Sequence, residues 1–215
     1  MNFMPPVALP FISTHRGLGG IAVNGSGTLI AVVAASEHCV YIYSVDETGE
    51  ESAGAVTAGT PGIHGSSAEQ LNRPRFCCFV HRNGVDTLLI CDFGNDRIVE
   101  VTADGKFLRS LALSVGRRPW GVAYCRTHDV IALSLHWDHT VVMLAYESGA
   151  VKRKVTSGHG DGLLYYPNGV VFTENGRYLL VADWGHSRVG KFCAATGAFV
   201  SHCGNACREW GIMAN

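Results

Sequence analysis

Short apolar stretches separated by polar turns recur four times along this chain. Each copy contains four apolar stretches, and the turns between them are rich in Gly, Asn and Asp, which predicts four β-strands per copy. The clearest copies run from Pro74 to Leu111 and from Pro167 to Val200. No segment combines a sustained 3.6-residue period with capping residues, so we predict an all-β chain with almost no helix.

The four copies open at Leu18, Pro74, Pro119 and Pro167, at intervals of 56, 45 and 48 residues. Four-stranded repeats of about 40–50 residues are typical of β-propeller blades, which bury their faces against neighbouring blades. The long first interval contains a loop rich in Gly, Pro and Ser over residues 59–67. We therefore predict blades at about residues 17–58, 71–113, 117–157 and 165–204.

The turn before the last strand of each copy ends in glycine: Gly49, Gly105, Gly149 and Gly197. Gly adopts a positive φ at no steric cost, and tight hairpins need that conformation. The recurrence supports the register of the four copies.

Two copies share a motif at the junction of their second and third strands. Residues 91–98 read Cys-Asp-Phe-Gly-Asn-Asp-Arg-Ile and residues 182–189 read Ala-Asp-Trp-Gly-His-Ser-Arg-Val. Together with Gly-Asp-Gly-Leu before a Pro-x-Gly-Val strand at 160–170, these motifs resemble the NHL-repeat family of β-propellers over roughly residues 17–212. The resemblance implies about six blades around a central channel. In the other two copies the Asp and Arg positions hold Ala34 with Cys39 and Leu135 with Thr140, so those blades are degenerate.

Four blades and a stub of a fifth at residues 208–215 do not complete such a ring. We favour a fragment of a larger protein; the alternatives are closure with a second copy, or an open arc that self-associates through unpaired strand edges. Residues 1–16 form a leader whose prolines fit an outer edge strand that latches the last blade.

Charge and cysteine content narrow the function classes. The chain has 17 basic and 18 acidic residues, and the basic residues are scattered, so nucleic-acid binding is not favoured. No apolar run is long enough to cross a membrane. Eight cysteines without a recognisable signal peptide indicate reduced thiols, and we expect a cytoplasmic protein.

The repeated acid–base pairs Asp92 with Arg97 and Asp183 with Arg188 occupy identical places in two copies. A catalytic residue should be unique to one blade, whereas recurrence is typical of a structural brace that links strands and turn amides. We assign these four residues to such a brace.

The segment His136-Trp137-Asp138-His139 departs from the corresponding turns of the other copies. Two imidazoles and a carboxylate could bind a metal or transfer protons. A surface turn in a degenerate repeat is the simpler interpretation. With Trp184, these four residues are our candidate binding residues.

The predicted first strands (Gly20–Val23, Phe76–Val80, Trp120–Cys125, Gly169–Thr173) contain no Glu, Asp or His. The distantly similar gluconolactonase-like propellers hold a divalent cation with several oxygen ligands, which these strands lack. We therefore predict no cofactor, metal or catalytic residue, and a scaffold that binds a protein or peptide on one propeller rim. Candidate anchors are the tryptophans at 120, 137, 184 and 210, because Trp is enriched at binding hot spots. The alternatives are a metal-dependent lactonase-like hydrolase and an inactive fragment.

Overall fold

A computed structural model describes residues 17–113, 116–155 and 163–203. The leader at 1–16, the stub at 208–215 with Trp210, Cys207, and most of the Gly-Asp-Gly-Leu motif lie outside the described residues.

The described chain forms four four-stranded antiparallel sheets in which strands follow one another in chain order. The prediction of an all-β chain with four such sheets is confirmed. The strands are β1 Leu18–Val23, β2 Leu29–Ala34, β3 Cys39–Val45, β4 Glu51–Ala58, β5 Cys77–Arg82, β6 Val85–Asp92, β7 Arg97–Thr102, β8 Phe107–Ala112, β9 Pro119–Cys125, β10 Val130–Leu135, β11 Thr140–Ala145, β12 Val151–Val155, β13 Pro167–Phe172, β14 Tyr178–Asp183, β15 Arg188–Cys193 and β16 Phe199–His202.

Central and edge strands of the sheets differ in how many of their residues are buried. Every residue of β10 is buried, whereas β8 alternates between half-buried and exposed positions and only Val155 of β12 is buried. A strand that is covered on both faces has a continuous run of apolar residues, whereas in a strand covered on one face apolar and polar residues alternate. In β10 and β8 the sequence pattern therefore distinguishes a central strand from an edge strand.

The chain divides into two compact units. Unit 1 comprises, within the described residues, 17–90 and 99–110; unit 2 comprises 91–98, 111–113, 116–155 and 163–203. The core of unit 1 consists of aliphatic side chains of β2, β3, β6 and β7 with Leu71 and Cys77. The core of unit 2 is built mainly from β10, β11, β14 and β15 around Phe192, which is 1% exposed.

Helix within the described ranges is limited to four single 3-10 turns, which join the second and third strands of each sheet: Ala35–Glu37, Phe93–Asn95, His136–Asp138 and Trp184–His186. This confirms the expectation of almost no helix. None of these turns could cross a lipid bilayer. Each is followed by a residue in the left-handed conformation: His38, Asp96, His139 and Ser187, with φ between 50° and 60°.

The predicted glycine turns are confirmed. Gly49, Gly105, Gly149 and Gly197 have φ values of 83°, 82°, 67° and 74°, in the region that side chains with a Cβ rarely adopt.

Strand β5 is longer than the sequence pattern indicates. It continues through His81 and Arg82 to the turn at Asn83 and Gly84, so this first strand does carry a histidine. His81 pairs in register with Asp86 of β6, and that pairing extends the hairpin beyond the apolar residues from which the strand was predicted.

Gly121 and Gly169 occupy equivalent places in β9 and β13 but have different surroundings. A Cβ at Gly121 would lie 2.3 Å from the backbone oxygen of Asn168, whereas at Gly169 its nearest neighbour would be 4.0 Å away. We expect Gly121→Ala to lower the free energy of unfolding by about 2 kcal/mol through overpacking.

Gly169→Ala is the matched control and should change the stability by less than about 0.5 kcal/mol. Urea unfolding followed by far-UV circular dichroism measures both variants. Equal midpoints for the two would contradict the close strand approach at Gly121.

Candidate functional site

A repeated hydrogen bond fixes the ends of the 3-10 turns. The side chain of the left-handed residue after a turn accepts a hydrogen bond from a backbone N–H, and the donor is the residue that precedes the proline of the next repeat. The three bonds run from Arg73 to His38 Nδ1 at 3.1 Å, from Arg118 to Asp96 Oδ1 at 2.7 Å, and from Tyr166 to His139 Nδ1 at 3.1 Å. The donors are themselves left-handed, with φ of 49°, 56° and 51°. We call this hydrogen bond the clasp. Its first copy lies in unit 1, and the other two lie in unit 2.

The Asp and Arg residues of the repeated motif form ion pairs within unit 2. Arg97 Nε lies 2.7 Å from Asp92 Oδ2, which also accepts a hydrogen bond from Asn95. Asp92 has no exposed surface. A buried carboxylate in a low-dielectric environment requires such partners, so the geometry fits the brace assigned from the sequence.

Asp183 binds the corresponding residues of its own motif. Arg188 Nε lies 2.8 Å from Asp183 Oδ2 and His186 Nδ1 lies 2.9 Å from it, while Oδ1 accepts a 2.6 Å bond from the backbone N–H of Tyr165. The carboxylate therefore also positions the segment that leads into β13.

In the degenerate third sheet, the brace positions are filled by Leu135 and Thr140, which pair in register and are both buried. Packing replaces the ion pair there. In the first sheet, Ala34 pairs with Cys39, and burial raises the pKa of the Cys39 thiol to about 11. That thiol therefore serves as a buried apolar group. The seven cysteines of the described residues are free thiols.

Six ring-bearing residues of unit 2 gather around the turn at His136, and we call them the aromatic patch: Trp120, His136, Trp137, Tyr165, Tyr166 and Trp184. The His136 ring is only 7% exposed. It stacks on Trp120 at 4.5 Å and contacts Tyr166 at 4.9 Å between ring centroids.

Asn168 holds His136 in place. The distance between His136 Nδ1 and the Asn168 side-chain oxygen is 2.7 Å. Because an amide oxygen only accepts, Nδ1 carries the proton in this arrangement. The ring orientation is thus set by a hydrogen bond as well as by stacking.

The outer members of the patch are exposed yet supported. Trp137, Trp184 and Tyr165 are 52%, 49% and 43% exposed. The ring of Trp137 meets those of His136 and Tyr166 edge-on, at 5.3 and 5.7 Å, and Trp184 lies 6.3 Å from Tyr166. These edge contacts position two tryptophans while leaving about half of each side chain open to a ligand.

The polar residues predicted around the patch have separate structural roles. Asp138 Oδ2 accepts a bond from the backbone N–H of Arg117 at 3.0 Å, and His139 accepts the clasp bond from Tyr166. With His136 turned towards Asn168, the three polar groups do not converge on one point. Within residues 17–113, 116–155 and 163–203, no group of three or more His, Cys, Asp or Glu is placed to hold a metal ion.

The structure thus brings His136, Trp137 and Trp184 together, and it packs the His139 ring against those of Tyr165 and Tyr166, at 4.8 and 4.4 Å. Asp138 instead binds the backbone of Arg117. Sequence analysis missed Tyr165, Tyr166 and Asn168. The available signal was the Tyr-Tyr pair immediately before Pro167, at a place where the other copies have Asn72-Arg73 and Arg117-Arg118.

A second polar network lies in unit 1, at the turn-bearing ends of β1, β5 and β6. Asn24 is buried and donates to Asp86 Oδ2 at 2.8 Å, and His81 Nδ1 lies 2.7 Å from Asp86 Oδ1. The hydrogen bond from Asn24 and, to a lesser degree, that from His81 lower the pKa of Asp86.

Many solved structures are similar to this chain, and three of them illustrate the likeness. A nidogen/laminin complex matches with a TM-score of 0.67 and 19% identity, covering 87% of this chain and 64% of that one. A streptogramin B lyase and the Dos1 propeller each match with a TM-score of 0.58 and 13% identity. They cover 85% and 86% of this chain, and this chain spans 53% and 47% of them.

These likenesses identify the fold as a β-propeller. No family profile matches the chain. No curated protein matches it in sequence.

The brace can be tested by copying the degenerate sheet into the second one. We expect Arg97→Thr to cost about 3 kcal/mol of stability, because it leaves the buried Asp92 carboxylate without its counter-charge. The double variant Asp92→Leu/Arg97→Thr reproduces Leu135 and Thr140, and we expect it to lose less than half as much. Urea unfolding measures both variants. A double variant less stable than the single one would rule out charge burial as the reason.

Acid unfolding tests the network around Asp86. A carboxyl whose pKa is lowered on folding stabilises the protein above its unfolded pKa, and that stabilisation is lost as the pH falls through the folded value. Asp86→Asn should therefore flatten the dependence of stability on pH below about pH 5. The measurement is the urea midpoint at several pH values, with Glu174→Gln as an exposed control. Parallel curves for Asp86→Asn and the unmodified chain would contradict this role.

Proposed function

We propose that this chain is an interaction scaffold of the NHL type that binds a protein or peptide through the aromatic patch. The observation that carries the proposal is the half-exposure of Trp137 and Trp184 beside Tyr165, above a buried His136. Trp and Tyr are the residues most enriched at binding hot spots, because they supply large apolar contact together with a polar N–H or O–H group.

Pre-organisation supports the same proposal. Each exposed ring rests on another ring, and the clasp at His139 and the Asp183–Tyr165 bond position the two tyrosines. A surface whose rotamers are already restricted loses little entropy when a ligand binds. An aromatic cluster that served only as core would be covered rather than half-exposed.

Further support for the NHL type comes from the two Asp/Arg ion pairs, which occupy the places given by the motif in the sequence. The lactonase-like alternative receives no support from the described residues, since the polar groups near the patch do not converge. A cytoplasmic location and self-association through blade edges stay predictions from the sequence.

A peptide-display selection tests the proposal. Peptides are selected on the purified chain, synthesised, and titrated against the chain and against Trp137→Ala/Trp184→Ala by fluorescence anisotropy. We expect the double variant to bind at least about tenfold more weakly, since each 1.4 kcal/mol of lost contact is tenfold in affinity.

Val171→Ala/Val200→Ala is the matched control, because these side chains of unit 2 are 55% and 45% exposed but lie outside the patch. It should bind as the unmodified chain does. Circular dichroism verifies that both variants are folded. Peptides that bind the tryptophan variant undiminished, or a selection that enriches none, would refute the patch as a binding site.

A further inference from the structure

A cavity of about 440 Å³ lies in unit 1, and none of its lining residues belongs to the aromatic patch. It is bordered by the start of β1, the 3-10 turn before β3, and the segment that leads into β5; its lining residues are Gly17, Leu18, Ala35, Ser36, His38, Arg73 and Arg75. Three of these side chains are cationic or potentially so, and none of the lining residues is acidic.

The two arginines are close enough to influence each other. Burial, and then the positive charge of Arg73, lower the pKa of Arg75. Like charges held at one cavity raise the free energy of the protein, and a bound anion relieves this repulsion. The clasp holds the main chain of Arg73 at this cavity, since Arg73 donates its backbone N–H to His38.

The clasp also determines the protonation of His38. Because Nδ1 accepts the bond from Arg73, the neutral ring carries its proton on Nε2, which is a donor. Ser36 is exposed and provides a hydroxyl group at the same cavity. The cavity therefore has four donor groups: two guanidinium groups, an imidazole N–H and a hydroxyl. A carboxylate has only two oxygens to accept hydrogen bonds from them, so an anion with more oxygens fits better.

We infer that this cavity binds the phosphate group of a small ligand. Two arginines match the charge of a phosphate monoester, about −1.5 to −2 at pH 7, and its three terminal oxygens accept the donors that Arg73, Arg75, His38 and Ser36 present. The site is independent of the aromatic patch, so neither proposal depends on the other.

Phosphorus NMR and isothermal titration at constant ionic strength test the inference on the full chain. The probes are inorganic phosphate and phenyl phosphate, with acetate as the carboxylate comparison. We expect saturable binding of phosphate at one site per chain and no saturable binding of acetate. Tighter binding of phenyl phosphate identifies a monoester ligand, and equal affinities identify free phosphate.

Arg73→Gln/Arg75→Gln should weaken phosphate binding at least about tenfold. The matched control is Lys152→Gln/Arg153→Gln, which removes the same two charges from exposed positions of β12 and should leave the affinity unchanged. Ser36→Glu is a second test that keeps both arginines: its carboxylate occupies the cavity and should abolish binding without loss of stability.

The inference is overturned by the absence of saturable phosphate binding, by equal weakening in the β12 control, or by acetate binding as tightly as phenyl phosphate. Undiminished binding to Ser36→Glu would likewise place the anion elsewhere.

Discussion

The hydrogen bond between a left-handed turn residue and the backbone N–H before the next proline is the constraint on which the aromatic patch and the cationic cavity depend. At His38 it brings Arg73 to a cationic cavity, and at His139 it brings Tyr166 into the aromatic patch. Proline pushes the residue before it towards extended conformations, yet Arg73, Arg118 and Tyr166 have φ values of 49°, 56° and 51°. These three residues are the donors of the clasp, which holds them in this unusual conformation. The clasp therefore positions a charged residue, Arg73, in unit 1 and an aromatic residue, Tyr166, in unit 2.

The brace and the aromatic patch use different positions of the repeat. In the second and fourth sheets a buried carboxylate binds the arginine, and Asn95 or His186 of the turn also contacts it. The first turn residue is Phe93 in the second sheet and His136 in the third, and both contact the ring of Trp120, at 5.6 and 4.5 Å. The third sheet differs in that His136 also binds Asn168, in a repeat whose brace positions hold Leu135 and Thr140.

Much of the fold can be predicted from the sequence, because a pattern that is ambiguous in one copy is supported by the same pattern in the other copies. Four turn glycines in register and the apolar runs of the central strands each indicate the same four sheets, and the Asp/Arg motif marks two of them. The extension of β5 through His81 was missed, because His81 and its cross-strand partner Asp86 are polar and the strand was predicted from apolar residues. Four of the six patch residues were named from the sequence. Trp120, Trp137 and Trp184 stand out as rare residues and His136 as a departure from the other turns, whereas Tyr165 and Tyr166 lie in a loop without periodicity.

The order of strands, the turn conformations and the arginine partners of Asp92 and Asp183 were determined by the sequence itself, since these interactions join residues a few positions apart. Contacts across longer separations were decided only by the tertiary structure. His136 meets Asn168 from 32 residues away and Arg73 meets His38 from 35 residues away. These contacts depend on how one sheet packs beside the next. Many packing contacts together determine that position, and no local motif determines it alone.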